Sequence, residues 1–276
     1  MVGARGLPYP PAMLLAILIP AYNERDLLPR LVDRVLATPA PRHPDGTPLR
    51  RVLVIVDDGS TDGTAEVVSE LGTREGVRAI RRAKNGGKGA AIRDALEAAR
   101  SPVVDAELFL IQDADLEYDP ADHAAILAPI LDARADAVIG SRFLGQSHRV
   151  LYYWHAVANA QITRLSNMLT NLNLTDIECC SKAFTRRVAD RLTLRENRFG
   201  IEPELVARLA HLWLPADAPG APPRARRRAR IYEVPVSYAG RTYEEGKKIT
   251  WRDGVSAIRC ILAYNLWRRP RPPRTP

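Results

Sequence analysis

Apolar residues follow two alternating rhythms along this chain. Short, nearly uninterrupted apolar runs have the length and β-branched content of buried strands: Leu14 to Ile19, Arg51 to Val56, Val77 to Arg81, Glu107 to Ile111 and Ala137 to Ser141. Between them lie stretches with helical spacing: Asp26 to Leu36, Thr64 to Leu71, a helix opened by residues 84–89 and running to about Arg100, and Pro120 to Arg134. Helical spacing returns over 149–175, where Trp154, Val157 and Ile162 are candidates for a buried or binding face, and over Ile201 to Leu212. Ile231 to Tyr238 reads as a final strand and Trp251 to Trp267 as a last helix. Strand–helix alternation predicts an α/β fold with a largely parallel sheet. Two segments interrupt it. Residues 39–50, with four prolines and a glycine, read as a loop insertion, and 215–230, rich in Pro, Ala and Arg, is expected to be unstructured.

Composition narrows the class. The 276 residues are 46% hydrophobic and 26% charged, so the chain is globular and long enough to bury a core. The formal net charge of +8 admits anionic partners such as nucleotides, phospholipid surfaces or nucleic acid. Much of the excess is local, in Arg224, Arg226, Arg227, Arg228 and Arg230 and again in Arg268, Arg269, Arg271 and Arg274. Neither cluster carries a nucleic-acid recognition motif or interleaved aromatic residues, so no nucleic-acid partner is expected. The three cysteines make no disulfide framework and no zinc spacing, which suits a reducing, cytoplasmic setting. The apolar run Met13 to Pro20 is too short to span a bilayer, and no transmembrane body is expected.

Candidate chemistry collects where strands end. The first strand runs into Pro20, Tyr22 and Glu24, the second into Asp57 and Asp58, and the fourth into Asp113, Ala114 and Asp115. In open α/β sheets the crevice outside the carboxyl ends of the strands holds the ligand. The first turn has no glycine, which argues against a dinucleotide-binding fold. About one Asp-x-Asp is expected by chance in a chain this long, so Asp113 and Asp115 gain meaning only from their neighbours. Paired hard oxygen ligands suit Mg²⁺ or Mn²⁺, ions that commonly accompany phosphate. Glycines 86, 87 and 89 with Lys88 open a helix, a place that suits phosphate, although the pattern is not a Walker motif.

In this order, "IPAYNE", "VDDGSTDGT", "NGGKGAAI", "QDADLEYDP" and "GSRF" resemble family 2 glycosyltransferases of the GT-A fold, in the dolichol-phosphate mannosyltransferase and glucosyltransferase branch. The resemblance covers roughly residues 14–250, and "GRTYEEGKK" resembles that branch's Arg-x-x-x-x-Gly-Lys segment. It implies a donor site for a nucleotide diphosphate sugar of the GDP-mannose or UDP-glucose class. Pro20, Tyr22 and Glu24 would contact the nucleotide; Val56, Asp57 and Asp58 would lie at the nucleobase, with Asp58 its main acceptor. Asp113, Ala114 and Asp115 would form the metal motif, Asp115 ligating directly, Asp113 assisting or binding ribose, and Glu117 adding a third ligand. Arg142, Arg241 and Lys247 would flank the diphosphate, and Lys88 would contact the diphosphate or the sugar.

On the acceptor side the resemblance points to Asp176, either as a general base or as a group that only orients the sugar, because a phosphate acceptor needs no base. Here the chain departs from the mannosyltransferase pattern, with Cys180, Ser181, Lys182, Ala183 and Phe184 where relatives often carry Ser-Gly-Phe-Arg. Glu202 and Glu204 read as helix-start charges. The implied activity is inverting transfer of a hexose to a polyprenyl or dolichyl phosphate; the rival is a family 2 enzyme acting on a saccharide or small-molecule hydroxyl. The expected organisation is an N-terminal extension (1–12), a GT-A domain (13–250), and a C-terminal amphipathic helix with a basic tail (251–276). That helix has an apolar face bordered by arginines and a tryptophan at each end, which suits either peripheral membrane contact or core packing.

Overall fold

The computed structural model describes residues 13–145, 149, 152–217, 225–241 and 251–269, the side chains of Trp251 and Arg252 excepted. The 1–12 extension, the centre of the 215–230 segment, Lys247 with most of "GRTYEEGKK", and the end of the basic tail lie outside the described residues.

The α/β expectation holds. The strands are β1 (Leu14–Ala21), β2 (Arg50–Asp57), β3 (Val77–Arg81), β4 (Leu108–Ile111), β5 (Ala137–Ser141), β6 (Lys182–Thr185), β7 (Trp213–Pro215), β8 (Arg226–Arg228) and β9 (Ile231–Pro235). The α-helices are α1 (Leu28–Ala37), α2 (Thr64–Leu71), α3 (Lys88–Arg100), α4 (His123–Leu131), α5 (Tyr153–Thr170), α6 (Arg186–Ala189), α7 (Ile201–Ala210) and α8 (Trp251–Leu262). Seven strands form one sheet in the order β3-β2-β1-β4-β6-β5-β9. All neighbours are parallel except β6, which runs antiparallel to both β4 and β5.

The apolar run of β1 is explained by burial on both faces. Leu15, Ile17 and Ile19 pack with Leu28, Leu31, Val32 and Val35 of α1, Val68 and Leu71 of α2, and Ile126 and Ile130 of α4. On the opposite face, Ala16 and Leu18 join Ala91, Ile92 and Ala95 of α3, Val188 of α6, and Ile201 and Leu205 of α7. Each fully buried Leu, Ile or Val contributes roughly 1.5–3 kcal/mol relative to exposure. A further cluster joins Ile139 of β5, Leu174, Ile177, Val206 of α7 and Ile261 of α8.

Several elements differ from the sequence expectation. Pro120 to Arg134 divides into a 3₁₀ turn (Pro120–Asp122), capped by the Asp119 side chain at Ala121 N–H, and α4, which ends where Ala133 turns to φ 57°. The 149–175 stretch narrows to α5, stopped by Asn171 at φ 57°, a conformation asparagine tolerates. Strand β6 was not foreseen: four residues starting with a lysine give no periodic signal, and only pairing with β4 and β5 makes them a strand. Where it is described, the 215–230 segment is not unstructured as expected. Its ends pair as the ribbon β7–β8, tied to the body by Arg227, which donates to the buried Asp136 through Nη2 at 2.9 Å, and by Arg230, whose backbone N–H donates to it at 2.7 Å. The last helix changes character at Ala263, where a π-helical turn runs to Trp267. Among the described residues no helix is long and apolar enough to cross a membrane.

Candidate active site

Strands β2, β1 and β4 lie side by side, and their carboxyl ends open on a cavity of about 670 Å³. Pro20, Tyr22 and Glu24 after β1, Asp58 after β2, and Asp113, Ala114, Asp115 and Glu117 after β4 all line it. Lys88 at the start of α3, Arg142 after β5 and Arg241 beyond β9 line it too. Residues up to 221 positions apart in the chain are thus gathered at one strand-end crevice, where this topology places a ligand.

Val56, Asp57 and Asp176 lie outside the cavity lining, and Asp58, within it, is engaged by the glycine loop. The Val56 side chain is fully buried in the core on the α3 side, and the Asp57 carboxylate turns back to accept from Ser60 N–H at 3.1 Å. Asp58, expected at the nucleobase, clamps the glycine loop: its carboxylate accepts from Gly86 N–H at 2.9 Å and Gly87 N–H at 2.6 Å and lies 2.9 Å from Arg82 Nε. Asp176 is fully buried and outside the cavity lining. It grips Arg142 in a bidentate pair, accepting from Nε at 2.6 Å and Nη2 at 2.9 Å. Burial alone would raise its pKa, but Arg142 holds it below the ordinary carboxylate value. A carboxylate so engaged is a poor base and a good anchor for a guanidinium.

The expected metal carboxylates do not form one preformed cluster. Among the described residues, no three His, Cys, Asp or Glu converge as metal ligands. The carboxylates turn to different cations instead. Asp113 pairs with Lys88 Nζ at 2.8 Å, whereas Arg241 pairs with Asp115 at 2.9 Å, Glu24 at 3.3 Å and Glu117 at 3.4 Å. Glu117 also accepts from the Tyr238 hydroxyl at 2.8 Å. The donor set is nonetheless of the right kind for a hard divalent cation. All its atoms are carboxylate oxygens, and burial, followed by the charges of Asp113 and Glu117, pushes the Asp115 carboxyl up to about 7. Negative charge outweighs what Arg241 supplies there, and a divalent cation would offset it.

Residues that the sequence reading left aside complete the wall. Lys182 of β6 is fully buried, forms an ion pair with Glu202 of α7 and donates to the Ile177 carbonyl at 3.3 Å. Glu202 lies 3.0 Å from Lys88 as well, so it bridges two lysines in addition to standing in the first turn of its helix. Burial would depress the Lys88 pKa, but the carboxylates of Asp113 and Glu202 keep its ammonium charged. Glu178 and Cys180 line the cavity from the segment leading into β6. The one sequence cue to this wall was the spacing of Asp176, Glu178 and Lys182 inside an otherwise apolar stretch.

Comparison with known proteins agrees with this geometry. Residues 16–193 match the model of glycosyl transferase family 2. The glycosyltransferase AglJ of Haloferax volcanii is 31% identical over 204 residues, 74% of this chain and 60% of that relative. A dolichyl-phosphate beta-glucosyltransferase of Drosophila melanogaster is 30% identical over 220 residues, 74% of this chain and 65% of that protein. The chain therefore spans about three-fifths to two-thirds of the length of these relatives. Among solved structures, glucosyl-3-phosphoglycerate synthase from Mycobacterium tuberculosis, bound to Mn²⁺, UDP and glucosyl-3-phosphoglycerate, superposes with a TM-score of 0.63 at 17% identity. That alignment covers 92% of this chain and 80% of the neighbour. The family match covers most of the sheet, the glycine loop and the acidic strand end, and on these grounds the chain belongs to glycosyl transferase family 2.

Proposed function

We propose that this chain transfers a hexose from a nucleotide diphosphate sugar to a polyprenyl or dolichyl phosphate, with inversion at the anomeric carbon. The observation that carries the proposal is the charge arrangement of the cavity: the Asp113, Asp115 and Glu117 carboxylates on one strand end, ringed by Lys88, Arg142 and Arg241. A diphosphate needs such a mixture, cations for its own charge and carboxylates for an accompanying ion. The Drosophila relative is named for a dolichyl-phosphate acceptor, and the solved neighbour is bound to UDP and Mn²⁺.

In this mechanism Pro20, Tyr22 and Glu24 border the nucleotide end, with Asp57 and Asp58 behind them and the Asp58 carboxylate fixing the glycine loop. Asp115, assisted by Asp113 and Glu117, would hold Mg²⁺ or Mn²⁺, which when bound supplies charge to the departing diphosphate. Lys88 and Arg241 add fixed positive charge on either side, and the Asp176 carboxylate keeps Arg142 aimed at the cavity. A phosphate oxygen is already anionic at neutral pH and attacks without a dedicated base. Asp176 then acts by positioning Arg142, which agrees with its engaged carboxylate.

A membrane-facing side completes the reading. On α8 and the turn after it, Val255, Ile258, Leu266 and Trp267 are exposed beside Arg259, Arg268 and Arg269. Tyr152, Tyr153 and Trp154 are exposed at the start of α5, the helix against which α8 packs. Aromatic and apolar groups bordered by arginines suit peripheral contact with an anionic leaflet. The opposite face of α8 packs inward through Ala257, Cys260 and Ile261, so the helix also contributes to the core.

The decisive experiment supplies UDP- and GDP-hexose donors with Mn²⁺ or Mg²⁺, with and without polyprenyl phosphate. Release of nucleoside diphosphate that requires the lipid phosphate is the expected result. Equal turnover on a soluble saccharide or phosphorylated small molecule alone would overturn the lipid assignment.

A further inference from the structure

In the cavity wall and directly behind it, three cations each hold a carboxylate: Lys88 holds Asp113, Lys182 holds Glu202, and Arg142 holds Asp176, with Lys182 and Asp176 buried outside the lining itself. A fourth carboxyl, Glu178, lines the same cavity and has no hydrogen-bond or ion-pair partner for its side chain among the described residues. Its Oε1 is enclosed, and its position is not loose. The Glu178 backbone N–H donates to Asp176 Oδ1 at 3.2 Å, Asp176 is locked onto Arg142, and four residues later Lys182 is buried in β6. The backbone on both sides of Glu178 is therefore anchored, and its side chain lines the same cavity as Lys88, Asp113 and Glu202 with no hydrogen-bond donor to Oε1 among the described residues.

An enclosed acceptor that the protein leaves unmet is costly unless a ligand supplies the donor. Resting on the transferase reading above, we propose that Glu178 determines donor specificity: its carboxyl accepts hydroxyl hydrogen bonds from a neutral transferred hexose and disfavours a sugar bearing its own carboxylate. Hydroxyl groups are the donors a hexose offers in abundance, and either protonation state of a carboxyl accepts from them. Burial, followed by the charge of Glu202, pushes this carboxyl up to about 7. A uronic acid would bring a further negative charge into a cavity that Glu178, Glu202 and Asp113 already line, where Lys88 and Lys182 are engaged with Asp113 and Glu202. Sites built to bond a substrate hydroxyl discriminate strongly because the unmet group is penalised when the partner is wrong.

The test compares wild type, Glu178→Gln and Glu178→Ala as the full chain with Mn²⁺ and polyprenyl phosphate. Donors are UDP-glucose, UDP-glucuronate, GDP-mannose and GDP-mannuronate, and UDP and GDP affinities are measured by calorimetry. Glu178→Ala is expected to lose about 10- to 100-fold in kcat/KM for the neutral donor while nucleoside diphosphate affinity and Tm stay at wild-type values. Glu178→Gln keeps a hydroxyl acceptor but removes the charge, and is expected to narrow the preference for neutral over acidic donor by about 10-fold. Two results would overturn the inference: unchanged kcat/KM and donor ranking in both variants, or losses that track nucleoside diphosphate affinity or Tm. A wild-type chain that binds neither nucleotide and transfers no hexose would instead bring down the transferase reading itself, and this inference with it.

Discussion

Asp176, fully buried, and Asp115, half-buried in the cavity wall, both sit beside an arginine, yet their surroundings prepare them for different work. Asp176 spends both oxygens on Arg142, which itself is largely enclosed. Replacing it by Asn leaves a buried guanidinium without its counter-charge, so Asp176→Asn is expected to cost about 3 kcal/mol in urea denaturation and to depress transfer as well. An unchanged denaturation midpoint would show that Arg142 finds its charge balance elsewhere. Asp115 is different: burial, then the charges of Asp113 and Glu117, work against its ionised form, and Arg241 with the Glu117 backbone N–H only partly offsets them. Asp115→Asn is therefore expected to keep the fold, with Tm near wild type, while lowering metal-dependent transfer at least ~100-fold. Near-normal turnover would remove Asp115 from the ion site. Both aspartates stand in segments legible in the sequence, but the arginine each one pairs with was not, because those partners are brought by other strands.

The glycine loop before α3 shows how an element sets up a site. Gly87 has φ +94° and donates its N–H to Asp58, and a Cβ there would lie 2.4 Å from the Asn197 carbonyl oxygen. Gly46, at φ +88°, has open space around it. Gly46→Ala is accordingly expected to cost only the left-handed backbone penalty, about 1 kcal/mol. Gly87→Ala adds a steric clash and should cost roughly 2–3 kcal/mol while weakening nucleoside diphosphate binding by displacing Lys88. Equal Tm for the two variants would contradict that difference. The sequence marked this loop as a phosphate-suited helix start; the approach of residues 196–198, which makes the glycine obligatory, comes from a segment more than a hundred positions away. The same distinction separates the legible strands from the missed one. Strands β1 and β2 announce themselves by apolar runs buried on both faces, whereas β6 is a four-residue strand defined by its neighbours.

Across the whole molecule, charge is organised rather than scattered. Arg227 and Arg230, from a cluster that would look like a polyanion patch in isolation, are bound to Asp136, and Arg228 lies over the Trp213 ring at 4.8 Å. These contacts hold the Asp136 carboxyl at about 2 despite its burial. Folding also carries a pH signature through His123. Its ring is 2% exposed, with Nε2 2.9 Å from Gln112 Oε1, and burial, then Arg51, pushes its pKa down from 6.5 to about 4. Between those values the unfolded chain binds the proton and the folded one does not. The stability present above pH 6.5 is lost as pH falls through that window, by roughly 3 kcal/mol near pH 4. Urea titrations at a series of pH values should show this slope in wild type and a flatter one in His123→Gln; equal slopes would mean that the imidazole is not held neutral by folding.

By itself, the sequence determined the α/β class, the alternation of apolar strands with amphipathic helices, and the order of polar strand ends that resembles family 2 glycosyltransferases. These are local properties: a strand buried on both faces must be apolar along its length, and a motif is read within ten residues. The tertiary structure alone decided which charges meet. Arg241 reaches Asp115 across 126 positions, Asp176 pairs with Arg142, Asp58 clamps the glycine loop, and the enclosed Glu178 Oε1 has no hydrogen-bond partner among the described residues. The physical reason is that the role of a carboxylate is set by the donors within about 3 Å of it. Only the folded chain brings those donors there.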